Sequence, residues 1–347
     1  MENYTYYNYS YDYDYPDYDY GRCVYINYLG VQLSFIYYFM FLFSLVGNVL
    51  VLVIIHRFER LTTVTNIFLL NLVVSSLIFI SSLPFQAVYM QLSDWIFGNV
   101  MCKIVDSVYY LGFYSSGLFL ALLTFDRHLA VVYSLGAPRL ISQRCALLCC
   151  AVVWLVSSLA CIPWMILYNA FHTPYNTIMC QEYPGYLTGM SVNHLRNPAF
   201  YRQLFIFLLF PLIVIVYCYI RIAITVITSK LVTKFKTVRL IFVIVLLFFI
   251  SWIPYNVVVV LLTDDGTMTC EEYRRRVYAE QVTHSLTHIY FCISPIFYTF
   301  VGEKFQNYFR QMVVKRFPGL KKYISVDQAM PTESTQSELS SVMAHSF

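Results

Sequence analysis

Asp126 and Arg127 stand side by side in "LLTFDRHLAVV", an acid and a base inside an otherwise apolar run. An acid next in sequence can neutralise an arginine whose long stem folds back, and that stem lets the charge reach the edge of a membrane. Arg127 follows Cys102 by 25 residues, which on a helix is roughly 38 Å of rise. It therefore belongs at the mouth of a span, not at the bilayer centre, where an arginine costs at least about 2.5–3.5 kcal/mol. Position alone fits an interfacial snorkelling arginine equally well.

The rest of the chain offers little for catalysis. No "HExxH", no "GxSxG" and no paired carboxylates at mid-span occur, and the ionisable residues cluster at the ends of apolar runs. That excludes the familiar intramembrane enzymes and suggests neither a metal centre nor a cofactor. Ten cysteines are present. Cys145, Cys149, Cys150, Cys161, Cys218 and Cys292 lie in or beside apolar runs and read as small buried hydrophobes. Cys23, Cys102, Cys180 and Cys270 all fall on the expected outer face, where disulfides persist. Four cysteines allow three pairings, and all three stay open at this point.

The elements that position these residues follow from composition. Of 347 residues, 59% are hydrophobic and 12% charged, against about 25% charged in soluble domains. Seven apolar stretches, 32–55, 64–90, 99–133, 145–168, 203–228, 236–262 and 279–301, can each cross about 30 Å of hydrocarbon. They lack the dyad alternation of barrel strands, so the expected class is an all-α membrane protein, a seven-transmembrane helix bundle. Pro84, Pro163, Pro211, Pro254 and Pro295 are then kinks, tolerated inside such helices. "GEKFQNYFRQMVVKRF" mixes apolar residues with charge and reads as a short amphipathic eighth helix on the membrane surface. The divisions are a tail over 1–31, the bundle over 32–301, the eighth helix over 302–317 and a second tail over 318–347.

Lysine and arginine set the orientation. Links after spans one, three and five hold Arg57, Arg60, Arg139, Arg144, Lys230, Lys234, Lys236 and Arg239, while Asp12, Asp14, Asp17, Asp19, Asp264 and Asp265 lie opposite. Positive residues stay in the cytoplasm, so the N-terminus is expected outside and the C-terminus inside. Arg274 to Arg276 run against that bias locally. Basic residues in short clusters form no nucleic-acid face, and seven spans without an internal repeat do not resemble a transporter.

At this point a resemblance enters. "GNVLVLVII" with Asn48, "LLNL" with Asn71, Cys102, "DRHLAVV", Trp154, Pro211 with Tyr219, "SWIPYN" with Trp252 and "SPIFY" with Pro295 and Tyr298 are in register with the class A, rhodopsin-like G-protein-coupled receptors over about 270 residues. "SDWIFGNVMCKIVDSVYYLGFYSSG" and "YTFVGEKFQNYF", with a very short third inner loop, are similar to chemokine receptors of the CC type. The resemblance implies disulfides Cys102–Cys180 and Cys23–Cys270. It places ligand-binding positions at Tyr37, Gln86, Tyr109, Tyr255 and His284. It also implies that Asp126, Arg127, Tyr219, Trp252, Pro295 and Tyr298 rearrange on activation.

The leader acquires a meaning in that frame. Residues 1–22 carry five acids against one arginine, a composition that by itself describes a solvated tail. Chemokines are small basic proteins. Tyr11, Tyr13, Tyr15, Tyr18 and Tyr20 each adjoin an aspartate, and sulfation would add about one negative charge to each. A flexible anionic strand speeds encounter with a cationic partner and holds it. Asn3 and Asn8 head "NYT" and "NYS" glycosylation sequons.

Four departures from the family pattern matter. His284 replaces a glutamate that anchors ligand amines, and an imidazole in its place makes pH-sensitive binding an expectation. Ser76 replaces an aspartate, His128 a tyrosine and Ser294 an asparagine. The implied function is a plasma-membrane chemokine receptor that activates a heterotrimeric G protein of the Gi type. The alternative is an atypical scavenger or decoy with little G-protein coupling. Receptor kinases and arrestin are implied partners of the Ser/Thr-containing tail, alongside membrane lipids. No cysteine follows Cys292, so an acyl anchor behind the eighth helix is not expected.

Overall fold

In hydrocarbon every backbone N–H and C=O must be satisfied within its own segment, so long apolar runs fold as helices. The computed structural model describes residues 28–58, 63–133, 141–172, 177–182, 186–187, 190–229, 235–262, 270–300, 303–317 and 319. Its elements are α1 (Tyr28–Phe58), α2 (Val64–Ile80), α3 (Leu83–Leu92), α4 (Gly98–Val132), α5 (Gln143–Leu167), β1 (Tyr168–His172), β2 (Ile178–Glu182), β3 (Tyr186–Leu187), β4 (Met190–Ser191), α6 (Asn193–Arg202), a π-helical segment Gln203–Leu209, α7 (Phe210–Ser229), α8 (Phe235–Leu262), α9 (Cys270–Phe300) and α10 (Glu303–Arg316). Six helical stretches among the described residues are long and apolar enough to cross a membrane. The seventh, α9, has Glu271, Glu272 and Arg274 to Arg276 in its outer turns and packs along α8 and α1, closing the bundle.

Two spans differ from the expected single kinked helices. The second is divided: Ser81 and Ser82 form a turn, and Pro84 stands in the first turn of α3. Proline needs no N–H partner there, so it starts a helix where an interior kink was expected. The Ser81 and Ser82 hydroxyls donate to the carbonyls of Ile78 (2.6 Å) and Phe79 (2.8 Å), which satisfies backbone groups left at the break. The fifth span begins ten residues early at Asn193 and passes through the π-helical segment just before Pro211. A widened turn accommodates the carbonyl that a proline cannot serve.

α4 is the central rod, in contact with α2, α5, α7, α8 and β1. Its closest approach is to α2 at Gly112, where an added Cβ would stand 2.5 Å from the Cβ of Phe79. Polar residues hold the other helices in register. Trp154 Nε1 donates to Asn71 Oδ1 at 2.8 Å, linking α5 to α2, and Ser44 Oγ donates to the Phe291 carbonyl at 2.5 Å, linking α1 to α9. Of the cysteines read as buried, Cys150, Cys161, Cys218 and Cys292 are so. Cys145 is exposed and Cys149 half-buried, because they lie off the face of α5 on which Ala146 and Cys150 are packed into the bundle.

Candidate functional site

One end of the bundle is roofed by the antiparallel hairpin β1–β2, in which Ala170 pairs with Cys180. Its attachment is covalent: Cys102 in the first turn of α4 bonds to Cys180, with Cα atoms 5.6 Å apart. Asp94 Oδ1 accepts from the Ile178 N–H at 2.6 Å and Asn99 Oδ1 from the Ala170 N–H at 2.9 Å. Trp95 N–H on the Ile178 carbonyl and Lys103 Nζ on the Tyr168 carbonyl (3.0 Å) fix the hairpin further.

Below it four of the five expected pocket residues meet. Tyr109 of α4 lies on His284 of α9, with ring centroids 5.0 Å apart, and Tyr255 of α8 meets His284 edge-on at 5.4 Å. The Tyr37 hydroxyl is 3.5 Å from His284 Nδ1 and 3.2 Å from Ser285 Oγ, while that of Tyr109 is 3.3 Å from Thr287 Oγ1. His288, one turn on, adds a third imidazole-to-aromatic layer, with Tyr37 at 4.8 Å. Gln86, the fifth, lies on α3 with its amide oxygen buried and unpartnered. Under this layer Trp252 stacks on Phe113 at 3.6 Å.

Three acidic residues that the sequence reading did not single out lie within electrostatic reach of this aromatic cluster. Asp106 of α4 has Oδ2 3.5 Å from Cys180 Sγ. A disulfide sulfur has no proton to donate, and with both thiolates consumed this cluster offers a metal a single carboxylate. Glu182 ends β2 and meets Arg196 at 3.9 Å. Glu280 lies one turn outward of His284 on α9. Asp106 and Glu182 are close enough for their charges to interact, as are Glu182 and Glu280, and the fields of all three reach Tyr255. Burial holds the Glu182 carboxyl above the usual range, with Glu280 adding to the rise and Arg196 opposing it. Tyr168, at the start of β1, is raised well above an ordinary phenol by burial, then by Asp106 and Glu182.

A polar chain leads from this cavity through the bundle. Trp164 Nε1 donates to the Tyr114 hydroxyl (2.6 Å), which donates to Gln203 Oε1 (3.1 Å). Gln203 Nε2 donates to Asn256 Oδ1 (3.3 Å), and Asn256 Nδ2 to the Trp252 carbonyl (2.9 Å).

At the opposite end of α4, Arg127 is paired with Asp126 at 2.7 Å, and the same carboxylate oxygen accepts from Thr65 of α2 at 2.7 Å. Tyr219 of α7 meets Phe242 of α8 edge-on at 4.9 Å. An apolar hollow of about 650 Å³ opens between these helices, lined by Tyr219, Phe242, Phe249 and Pro254 among others. His128 is buried among Phe125, Tyr133 and Tyr217, with neither ring nitrogen partnered. Ser76 is buried and its hydroxyl turns back to the Leu72 carbonyl. The backbone of Pro295 and Tyr298 belongs to α9, but their side chains lie outside the described set. So do Tyr11, Tyr13, Tyr15, Tyr18, Tyr20, Asn3, Asn8, Cys23 and the Cys270 side chain.

Comparison with known proteins agrees with this architecture. The profile of the "7 transmembrane receptor (rhodopsin family)" matches residues 47–298. The chain is 34% identical to C-C chemokine receptor type 3 of Cavia porcellus over 303 residues, 86% of this chain and 84% of that one. It is 33% identical to human C-C chemokine receptor type 8 over 90% of this chain and 87% of that one. Identity to human C-C chemokine receptor type 1 is 34%, over 86% and 85%. The relatives are receptors and not enzymes, and the apolar helices of this chain make it a multi-pass membrane protein. A hairpin-roofed aromatic cluster at one end, an Asp–Arg pair at the other and a match spanning both place this chain in the rhodopsin family of seven-transmembrane receptors, among its chemokine receptors.

Proposed function

We propose that the chain is a plasma-membrane receptor that takes a basic chemokine on its outer face and activates a Gi-type heterotrimeric G protein on its inner face. The observation that carries this reading is the aromatic cluster of Tyr37, Tyr109, Tyr255 and His284 with Asp106, Glu182 and Glu280 within electrostatic reach of Tyr255. Carboxylates held near aromatic faces suit an ammonium or guanidinium group. Glu280 sits one turn before His284 on α9, and Asp106 and Glu182 come from α4 and β2, so a cation lacking its usual glutamate partner has three substitutes in this region.

In this reading the N-terminus is outside, where the acidic tail with Tyr11, Tyr13, Tyr15, Tyr18 and Tyr20 sulfated captures the body of the chemokine and Asn3 and Asn8 are glycosylated. A Cys23–Cys270 bridge tethers that tail, and the ligand's flexible end enters the cavity beside Gln86. Ligand pressure passes through Trp252 to Asp126, Arg127, Tyr219, Pro295 and Tyr298. Agonist must bind the open state better than the closed one, since equal affinity shifts nothing. The tail beyond residue 317 then serves receptor kinases and arrestin.

A second reading, a chemokine scavenger with weak coupling, is favoured by His128, whose ring sits unpartnered beside Arg127 where the family has a tyrosine. A guanine-nucleotide exchange assay on receptor reconstituted with Gi separates them. Exchange driven by at least one member of a chemokine panel supports the receptor; tight binding without exchange supports the scavenger. Failure of the whole panel to bind removes both.

A further inference from the structure

Two imidazoles stand on one face of α9. His284 and His288 are four residues apart in "HSLTH", which on a helix sets one above the other, about 5–6 Å apart at Cβ. The two histidines of the helical zinc motif are spaced likewise. Here the ring centroids are 4.9 Å apart and the planes are inclined at 66°. Two imidazoles on one tetrahedral zinc, each nitrogen about 2.0–2.1 Å from the metal, place their ring centres roughly 5 Å apart.

The hydrogen bonds of the pair leave a nitrogen for a ligand. His288 is buried, and its Nδ1 lies 2.9 Å from the His284 carbonyl. A carbonyl oxygen only accepts, so Nδ1 carries the proton and Nε2 the lone pair. That Nε2 is buried without a partner. A ring N–H held by a backbone carbonyl, with the other nitrogen left basic, is how metal-bound histidines are oriented. The Tyr37 hydroxyl stands 3.5 Å from His284 Nδ1 and adds an oxygen donor beside the pair.

Among the described residues no third His, Cys, Asp or Glu joins the two as a ligand. Two imidazoles leave positions on a metal for water or a hydroxyl, which makes an open site and not a closed structural one. Asp106, Glu182 and Glu280 all lie within electrostatic reach of Tyr255, whose ring meets His284 edge-on. Their negative field draws a dication toward the imidazoles. Nitrogen ligands favour zinc and copper, whereas Mg²⁺ and Ca²⁺ require oxygen.

We propose that His284 and His288 form a binding site for a borderline-soft divalent cation, Zn²⁺ foremost. His288 Nε2 is one ligand, a ring nitrogen of His284 is the second, and water or the Tyr37 hydroxyl completes the sphere.

The test uses the full chain without a polyhistidine tag, purified in detergent, with ZnCl₂ as the probe. Saturating ZnCl₂ should raise the melting temperature of the wild-type receptor by about 3–6 °C, and EDTA should reverse the rise. MgCl₂ at the same concentration should leave it unchanged. His284→Gln and His288→Gln should each weaken zinc binding at least about tenfold, with the folding of each checked by its metal-free melt. If one variant fails to fold, the other decides. Co²⁺ in place of zinc should show the visible bands of nitrogen and oxygen ligation without a thiolate charge-transfer band, which separates the pair from the free cysteines. No shift in the wild-type receptor leaves Nε2 to a water molecule and overturns the proposal. A shift kept by the folded variants, or a thiolate band, puts the metal elsewhere and overturns it as well. None of these measurements involves a chemokine, so the metal site and the receptor function fail separately.

Discussion

Tyr109 and His284 lie ring on ring, with centroids 5.0 Å apart and planes 25° from parallel, so the central helix and the last one meet through a phenol and an imidazole. The Tyr109 hydroxyl continues to Thr287, three residues after His284. This pair sits at the floor of the cavity, directly above Trp252, whose ring is 5.9 Å from Tyr109. A ligand end that reaches the pair reaches the switch.

Tyr109→Ala should therefore weaken chemokine binding at least about tenfold, since it removes both an aromatic pair and the wall that supports it. Tyr109→Phe keeps the stack and loses one hydrogen bond, near 1 kcal/mol, for an effect of about two- to fivefold. Competition binding on membranes decides the order. A phenylalanine variant as damaged as the alanine one would mean that the hydroxyl, not the ring, matters.

Glu182 gives the cavity a pH dependence. Burial raises its carboxyl, so it gains a proton at a higher pH than an ordinary glutamate. Affinity for a basic ligand should decline as pH falls from 7.4 to 5.5, and Glu182→Gln should show a flatter curve over that window. Stability moves the other way. A folded-state pKa raised above the unfolded value favours folding at low pH, and that contribution is lost as pH rises through the raised value. The unliganded Glu182→Gln receptor should thus melt no lower than wild type at pH 7.4.

Asp126 is shared between Arg127 and Thr65, which ties the resting coupling face to α2. Asp126→Asn should raise ligand-free nucleotide exchange several-fold by freeing Arg127. Thr65→Val removes one hydrogen bond, about 1 kcal/mol, and should raise it about two- to fivefold. Basal rates equal to wild type in both variants would show that this contact does not restrain the resting state.

At Gly112 the α2–α4 contact has no room for a methyl group, because the neighbour is the Phe79 Cβ at 2.5 Å. No trimming of Phe79 relieves it, because its backbone Cα and N stand 2.9 and 3.0 Å from the same point. Gly112→Ala should cost about 1–3 kcal/mol as overpacking, read as a lower melting temperature in detergent and reduced surface expression.

Much of the architecture was legible from composition and apolar run length, and Asn71 with Trp154 shows why motif residues help: the two meet at 2.8 Å. What was missed has local causes. Hydropathy does not register a break where two serines precede Pro84, since all the neighbours remain apolar. It does not register a widened turn before Pro211 either. The acids of the cavity were readable in principle. Asp106 follows Cys102 by four residues, Glu182 follows Cys180 by two, and Glu280 precedes His284 by four. Each is one repeat of its own helix or strand from a residue already singled out. The sequence reading sought paired carboxylates at mid-span, used acids at the ends of the spans only to set orientation, and named none of these three. Cys145 was judged by its apolar neighbours, although it lies off the packed face of α5.

The chain from Trp164 to Trp252 has a direction imposed at both ends. An indole N–H can only give and a peptide carbonyl can only take, so Tyr114, Gln203 and Asn256 between them have one permitted arrangement of protons and amides. None of the three can turn over by itself without setting donor against donor or acceptor against acceptor at a neighbour. The row behaves like a ratchet tooth set across four structural segments: it stays whole or it gives way at one joint. The longest joint, 3.3 Å between Gln203 and Asn256, is where α8 would part from the π-helical segment.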